Sequence, residues 1–165
     1  MEIRHTQMSD LPVLLEIFAG ARRFMAENGN PNQWGDHTPT QQTLEEDIAA
    51  GRSYVCIQDG HITATFFLST AGEPTYRVIR EGAWLDDAPY GVVHRIAAAE
   101  QGHGAAAYCL EWCLEQCGNI RIDTHRDNKP MQRLLQRLGY TYCGRIDLDN
   151  GRGERLAFQK RLKKA

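Results

Sequence analysis

Two hydrophobic periods run through this chain, and the switches between them mark out its elements. Leu11, Leu14, Leu15, Phe18 and Met25 recur at helical spacing, so residues 10–27 are predicted to form an amphipathic helix. Ser9 is placed to cap it, and Pro12 falls in its first turn, where a missing N–H costs little. Asn28-Gly29-Asn30-Pro31 breaks it, and Glu2–His5 ahead of it reads as a short strand. A polar loop carrying Trp34 and His37 leads to a second helix that starts at Thr40, turns Leu44 and Ile48 inward and ends at Gly51. Tyr54–Gln58 and His61–Leu68 are β-rich runs joined by Asp59-Gly60, a dipeptide suited to the left-handed backbone of a two-residue hairpin turn. Residues 70–89 are irregular, punctuated by Pro74, Gly82 and Pro89. Tyr90–Ala97 is a fourth strand, and residues 104–116 are a helix with Cys109, Leu110, Cys113 and Leu114 at core spacing. Residues 120–124 are a fifth strand, residues 129–138 a fourth helix, and Tyr140–Leu148 with Glu154–Leu162 a last hairpin about Asn150-Gly151.

This order predicts one α/β domain over residues 1–165, a mixed central β-sheet with helices on both faces. The hairpins make part of the sheet antiparallel, and the β-α-β unit joining strands four and five makes that pair parallel. Composition agrees: 165 residues with 42% hydrophobic and 24% charged content suit one soluble domain with a sizeable core. A net charge of -2 argues against a nucleic-acid partner. No apolar run approaches about 18 residues, so no membrane span is expected. The opening residues lack a basic region followed by an apolar one, so no signal peptide is expected. Five cysteines without scaffold spacing point to a reduced cytoplasm.

The chemistry gathers at Gln101-Gly102-His103-Gly104-Ala105-Ala106, between the fourth strand and the third helix. Glycines leave out the Cβ atoms that would keep an anion from the backbone, and the first amides of a helix have no intrahelical partners. A pyrophosphate can therefore sit on residues 101–106. A phosphate-binding P-loop would need Gly-Lys-Ser/Thr, but Gly104 is followed by alanines. A dinucleotide fingerprint would need a third glycine, which is missing, although Asp123 lies near the expected acidic position.

Gln101-X-X-Gly104-X-Ala106 resembles the pyrophosphate signature Arg/Gln-X-X-Gly-X-Gly/Ala of the Gcn5-related N-acetyltransferases. Asn128 at the start of the fourth helix and Leu138-Gly139-Tyr140 at its end resemble the family's second cofactor-side segment. The resemblance spans nearly the whole chain. It implies a GNAT-like fold in which strands four and five splay apart around a pantetheine arm. It further implies transfer of an acetyl group from acetyl-CoA, with no metal, to a primary amine on a small molecule or peptide, by direct attack in a ternary complex. Backbone groups of Ile96 and Ala97 would hold the arm, and Gln101, Gly102, His103, Gly104, Ala105 and Ala106 the pyrophosphate. Asn128 suits both a cofactor contact and a plain helix cap. Counting by helical steps from it, Met131 and Leu135 would share its face.

Leu135 departs from the family, many of whose members have there a tyrosine that protonates the leaving thiolate. Tyr140, Tyr142 and Cys143 stand nearby as substitutes or as packing residues of the last hairpin. His94, on strand four, is the candidate base because imidazole titrates near neutrality; the other reading is a half-buried strand histidine. Glu81 and Glu100 are weaker alternatives, and Asp123 can pair with His125. Trp34, Trp84 and Tyr90 can wall an acceptor pocket or cover the core. Cys109, Cys113 and Cys117 fall on one helix face, which is also the core stripe, so they read as buried hydrophobes rather than metal ligands. Arg133 and Arg137 read as solvated surface. Exposed strands and helices leave room for a homodimer. Two rivals stand beside the enzyme: a CoA-binding sensor that has lost turnover, and a nucleotide-dependent protein using the same glycine turn.

Overall fold

The computed structural model describes residues 1–148 and 153–162. The sheet contains β1 (Glu2–His5), β2 (Ser53–Gln58), β3 (His61–Ser69), β4 (Gly91–Ala98), β5 (Asn119–Thr124), β6 (Thr141–Asp147) and β7 (Glu154–Arg161). The helices are α1 (Leu11–Glu27), α2 (Gln41–Ala49), α3 (Ala105–Cys117) and α4 (Lys129–Arg137). Strand order is β1-β2-β3-β4-β5-β7-β6. Every pair is antiparallel except β4 with β5. The Asn150-Gly151 turn and Lys163-Lys164 lie outside the described residues.

Local sequence explains most boundaries. Thr40 caps α2 by accepting from the Thr43 amide at 3.2 Å. Asp59 and Gly60 both have positive φ, 53° and 78°, as a two-residue turn matched to strand twist requires. α3 and α4 cover one face of the sheet, where Phe66, Val93, Cys109, Cys113, Leu114, Ile122, Leu135 and Phe158 form a continuous core. α1 and α2 cover part of the other face through Leu14, Phe18, Leu44, Val55 and Ala97. The rest of that face is covered by the irregular segment, whose Tyr76 packs on Val92, Ile146 and Ala157.

Of the three cysteines expected to be core, Cys109 and Cys113 are fully buried, with burial pushing both thiols well up, while Cys117 is only partly buried against that core. Tyr140 is buried in the same core, Cys143 is buried in β6, and Tyr142 lies exposed against Phe158. The irregular segment is strapped to the β6–β7 hairpin. Arg80 bridges to Arg145 through the backbone and grips Asp147 and Glu154. Just beyond, Gly82 lies so close to β6 that a Cβ would meet the Cys143 carbonyl oxygen at 1.9 Å. Neither backbone can yield there without breaking the strap. Gly82→Ala is therefore expected to cost about 1–3 kcal/mol and lower Tm by roughly 2–12 °C in a melting experiment.

Candidate active site

Two irregularities of β4 build the site. First, β4 and β5 pair only at Gly91–Ile120 and Val92–Arg121. Beyond those residues both strands continue unpaired to each other, so the sheet opens like a V. Second, β4 is bulged: Phe67 of β3 faces His94, but Thr65 faces Ala97, so Arg95 and Ile96 stand opposite Phe66 alone. A bulge changes which face each residue meets. His94 and Ala97 both lie toward α1, α2 and the irregular segment, whereas Ile96 enters the α3 core.

A cavity of about 410 Å³ lies at the glycine-turn end of the opening. Ile96, Ala97, Gln101, Gly102, Gly104, Ala105, Ala106 and Asn128 all line it. Gly102 and Gly104 have φ of 82° and 78°, and Gly104 starts α3 without any side-chain cap. These are the features an anion cradle needs: a left-handed turn that glycine reaches without strain, and helix-start amides left available. His103 alone of the expected residues does not line the cavity. Its imidazole is exposed beside Glu100, with Nε2 3.1 Å from a carboxylate oxygen.

α4 contributes differently from the expectation. Asn128 is its cap, accepting from the Met131 amide at 3.1 Å, while its own amide donates to Gln33 Oε1 at 2.9 Å. Asn128 and Met131 share the cavity as expected, but the next residue to face it is Leu134 rather than Leu135. Met131, Leu134 and Arg137 line the cavity, and Leu135 is fully buried in the core. Arg137 is exposed, as expected, and it also lines the cavity rim, while Phe24 and Met25 of α1 line it as well.

A second cavity, of about 460 Å³, lies on the α1–α2 face and shares Met25, Ile96, Asn128 and Met131 with the first. His94 and Trp34 line it, with Thr38, Thr40 and Thr43 ahead of and within α2, and Glu73, Asp123, Thr124 and Arg155. His94 Nε2 is 3.8 Å from Glu73 Oε1, and Nδ1 is 3.9 Å from Asp123 Oδ2. The Asp123 carboxylate accepts from the buried Tyr76 hydroxyl at 2.6 Å. The His94 ring stacks on Phe67 with centroids 5.5 Å apart. Burial holds the imidazole pKa below its ordinary value and Arg95 pushes the same way; Asp123, Glu73 and Asp47 partly offset them. The Thr124 side chain is buried, and its hydroxyl has no hydrogen-bond partner among the described residues.

Several expectations meet a different arrangement. Trp84 and Tyr90 do not line this cavity; they flank the Arg121 guanidinium at 4.3 and 4.0 Å. Loop aromatics here serve a buried cation, which needs such faces when it leaves water. Asp123 does not pair with His125, whose Nδ1 accepts from the Asp127 amide at 3.0 Å. Glu81 pairs with Arg145 away from the cavity. Tyr140, Tyr142 and Cys143 line neither cavity. Glu73, Gln33, Thr124 and Arg155 escaped the sequence reading. Glu73 sits in the segment without a period, and a lone residue there carries no positional signal.

A mixed sheet opened between two parallel strands above an uncapped glycine turn is the arrangement that the resemblance to the N-acetyltransferases implies. The model of the acetyltransferase (GNAT) family matches residues 16–140, and the chain belongs to that family. Its structure is similar to that of a GNAT-family acetyltransferase from Streptococcus agalactiae, with 34% identity, 99% of this chain and 96% of that chain covered, and a TM-score of 0.90. It shares its fold with the ribosomal-protein-alanine N-acetyltransferase from Brucella melitensis, with 20% identity over 98% of this chain and 100% of that chain, TM-score 0.65. The same holds for a Salmonella typhimurium protein whose structure includes its cofactor acetyl-CoA, with 16% identity over 99% and 95% of the two chains, TM-score 0.65. No curated protein matches the chain. Among the described residues there is no helix long and apolar enough to cross a membrane and no metal-holding cluster of His, Cys, Asp or Glu.

Proposed function

We propose that this acetyltransferase moves an acetyl group from acetyl-CoA to a primary amine of a small molecule or peptide, by direct attack in a ternary complex. The observation that carries this reading is the sharing of four residues between the two cavities. A cofactor arm entering from the glycine turn would end at Ile96 and Met131, where the acceptor cavity begins.

The residues fit acetyl-CoA. The backbone of residues 101–106 and the start of α3 suit a pyrophosphate, and Arg137 at the cavity wall suits a further phosphate. Bound acetyl-CoA supplies an activated thioester. Beyond Val92 the β4 edge that faces β5 has no ladder partner, and the backbone amides on that edge near the bulge would be the donors for negative charge developing on the carbonyl oxygen. Trp34 and the carboxylates of Glu73 and Asp123 receive the amine. As the C–N bond forms and the C–S bond breaks, the electron pair leaves on sulfur and His94 Nε2 takes the proton released from nitrogen. With leucine at residue 135, the Thr124 hydroxyl, unpartnered among the described residues and on a residue that lines the second cavity, would be the side-chain candidate to donate a hydrogen bond to the leaving sulfur. The described cysteines are all free, which suits a reducing cytoplasm.

The sensor reading remains the rival, because Leu135 removes the family's usual acid. A panel of primary amines, from amino acids and polyamines to peptide N-termini, decides between them. Thiol release from acetyl-CoA is expected only with amine present, matched by N-acetylated product. Tight acetyl-CoA binding with no product from any amine would favour the sensor.

A further inference from the structure

We propose that Asp47 and Arg95 are positioning residues for acyl transfer: their ion pair holds the β4 bulge in the conformation that presents its amides to the thioester. This rests on the acyl-transfer reading above. Arg95 has a φ of 50°, in the left-handed region where side chains other than glycine are strained. A bulge with a left-handed first residue ordinarily uses glycine there. A side-chain-bearing residue is strained in such a conformation, which persists only where surrounding structure over-determines it.

The surrounding structure here is specific. Arg95 Nε donates to Asp47 Oδ2 and Nη2 to Oδ1, both at 2.9 Å, a two-pronged pairing that fixes the guanidinium plane. Both side chains are largely withdrawn from water, 25% and 12% exposed. The guanidinium also lies 4.6 Å over the Phe67 ring, whose stacking partner is His94. Asp47 belongs to α2, and the segment leading into α2 walls the acceptor cavity through Thr38 and Thr40. One ion pair therefore joins the acceptor wall, the backbone at the thioester position and the packing of the candidate base. Such a buried pair is weak evidence of net stabilisation, because removing two charges from water offsets their attraction. Its placement on a strained residue in the opening of the sheet gives it a different use, fixing the geometry of the donors.

The test separates strain from charge. Asp47→Ala is expected to lower kcat about 10- to 100-fold, with the Kd for acetyl-CoA unchanged within about threefold, since the glycine turn is untouched. Asp47→Asn, closer in shape, gives the same split should the alanine variant fold poorly. Adding Arg95→Gly to Asp47→Ala is expected to recover at least tenfold of a hundredfold loss, because glycine adopts the left-handed conformation unaided. Adding Arg95→Met, which removes the charge and keeps the strain, is expected to recover none. Hydrogen exchange of the amides of residues 94–97 should quicken in Asp47→Ala and slow again only with the glycine. Recovery by methionine equal to that by glycine, no recovery by either, or wild-type kcat in Asp47→Ala would overturn the proposal. A wild-type chain without turnover on any amine would instead overturn the acyl-transfer reading, leaving the exchange measurement to judge the bulge.

Discussion

His94→Ala is expected to lower kcat by two to four powers of ten while leaving acetyl-CoA affinity within about threefold of wild type. That range is what a positioned general base contributes, and His94 lines the cavity proposed for the acceptor rather than the glycine-turn cavity. The pH dependence follows from the surroundings of the ring. Burial and Arg95 hold the imidazole pKa below its ordinary value, against the opposing pull of Asp123, Glu73 and Asp47. A base must be unprotonated to act, and a lowered pKa keeps it so at neutral pH. The acid limb of kcat/KM is therefore expected below pH ~6.5, the ordinary histidine value, with no further loss down to that point. Asp123→Asn removes the leading upward influence, so it should move that limb to still lower pH and reduce kcat, since a less basic imidazole takes the proton less readily. A limb that moves upward instead, or one unaltered in His94→Ala, would assign the titration to another group.

Gly104→Trp carries the other large effect, on binding. Gly104 occupies the left-handed conformation at the start of α3, where a side chain costs about 1–2 kcal/mol. No heavy atom lies within 4 Å of an added Cβ, so the variant should fold with only a modest loss of stability. The indole, however, stands at a residue that lines the cavity proposed for the cofactor and would obstruct the approach of a pyrophosphate to the α3 amides. The Kd for acetyl-CoA is expected to rise at least ~100-fold by calorimetry, equivalent to about 2.7 kcal/mol. Acetyl-CoA and CoA should raise the melting temperature of the wild type and not that of the variant. NAD and ATP should raise neither. Protection of the wild type by NAD or ATP but not CoA would point back to a nucleotide protein.

Features set by neighbouring residues were legible in the sequence. The Asp59-Gly60 turn, the Thr40 cap and the glycine turn each depend on a few adjacent side chains, and each element lies within two residues of its expected bounds. The parallel pairing of β4 with β5 followed from the handed β-α-β connection. The features that complete the site depend on contacts distant in sequence. Nothing about Arg95 announces a left-handed residue, because its conformation is supported by Asp47, 48 positions away. Trp84 and Tyr90 invited a role as pocket walls, yet their partner is Arg121 on β5, and a cation between two rings has no periodic signature. Asn128 and Met131 were expected on one face and do line one cavity, but the third residue expected there, Leu135, four residues beyond Met131, is buried in the core. Steps of three and of four residues both stay near one helix face, and only packing against the sheet decides that Leu134 and Arg137 turn to the cavity and Leu135 to the core.

The most direct test of direct transfer across the opened sheet is a single-turnover experiment read by mass spectrometry. Protein in excess over acetyl-CoA is mixed first without and then with a primary amine that the panel identifies as a substrate. The expected result is an unmodified protein mass and intact acetyl-CoA in the first case. With amine present, CoA and N-acetylated amine should then appear in equal amounts. An acetylated protein that forms without amine and then passes its acetyl group on, or an amine that stays unmodified while CoA is released, would contradict it.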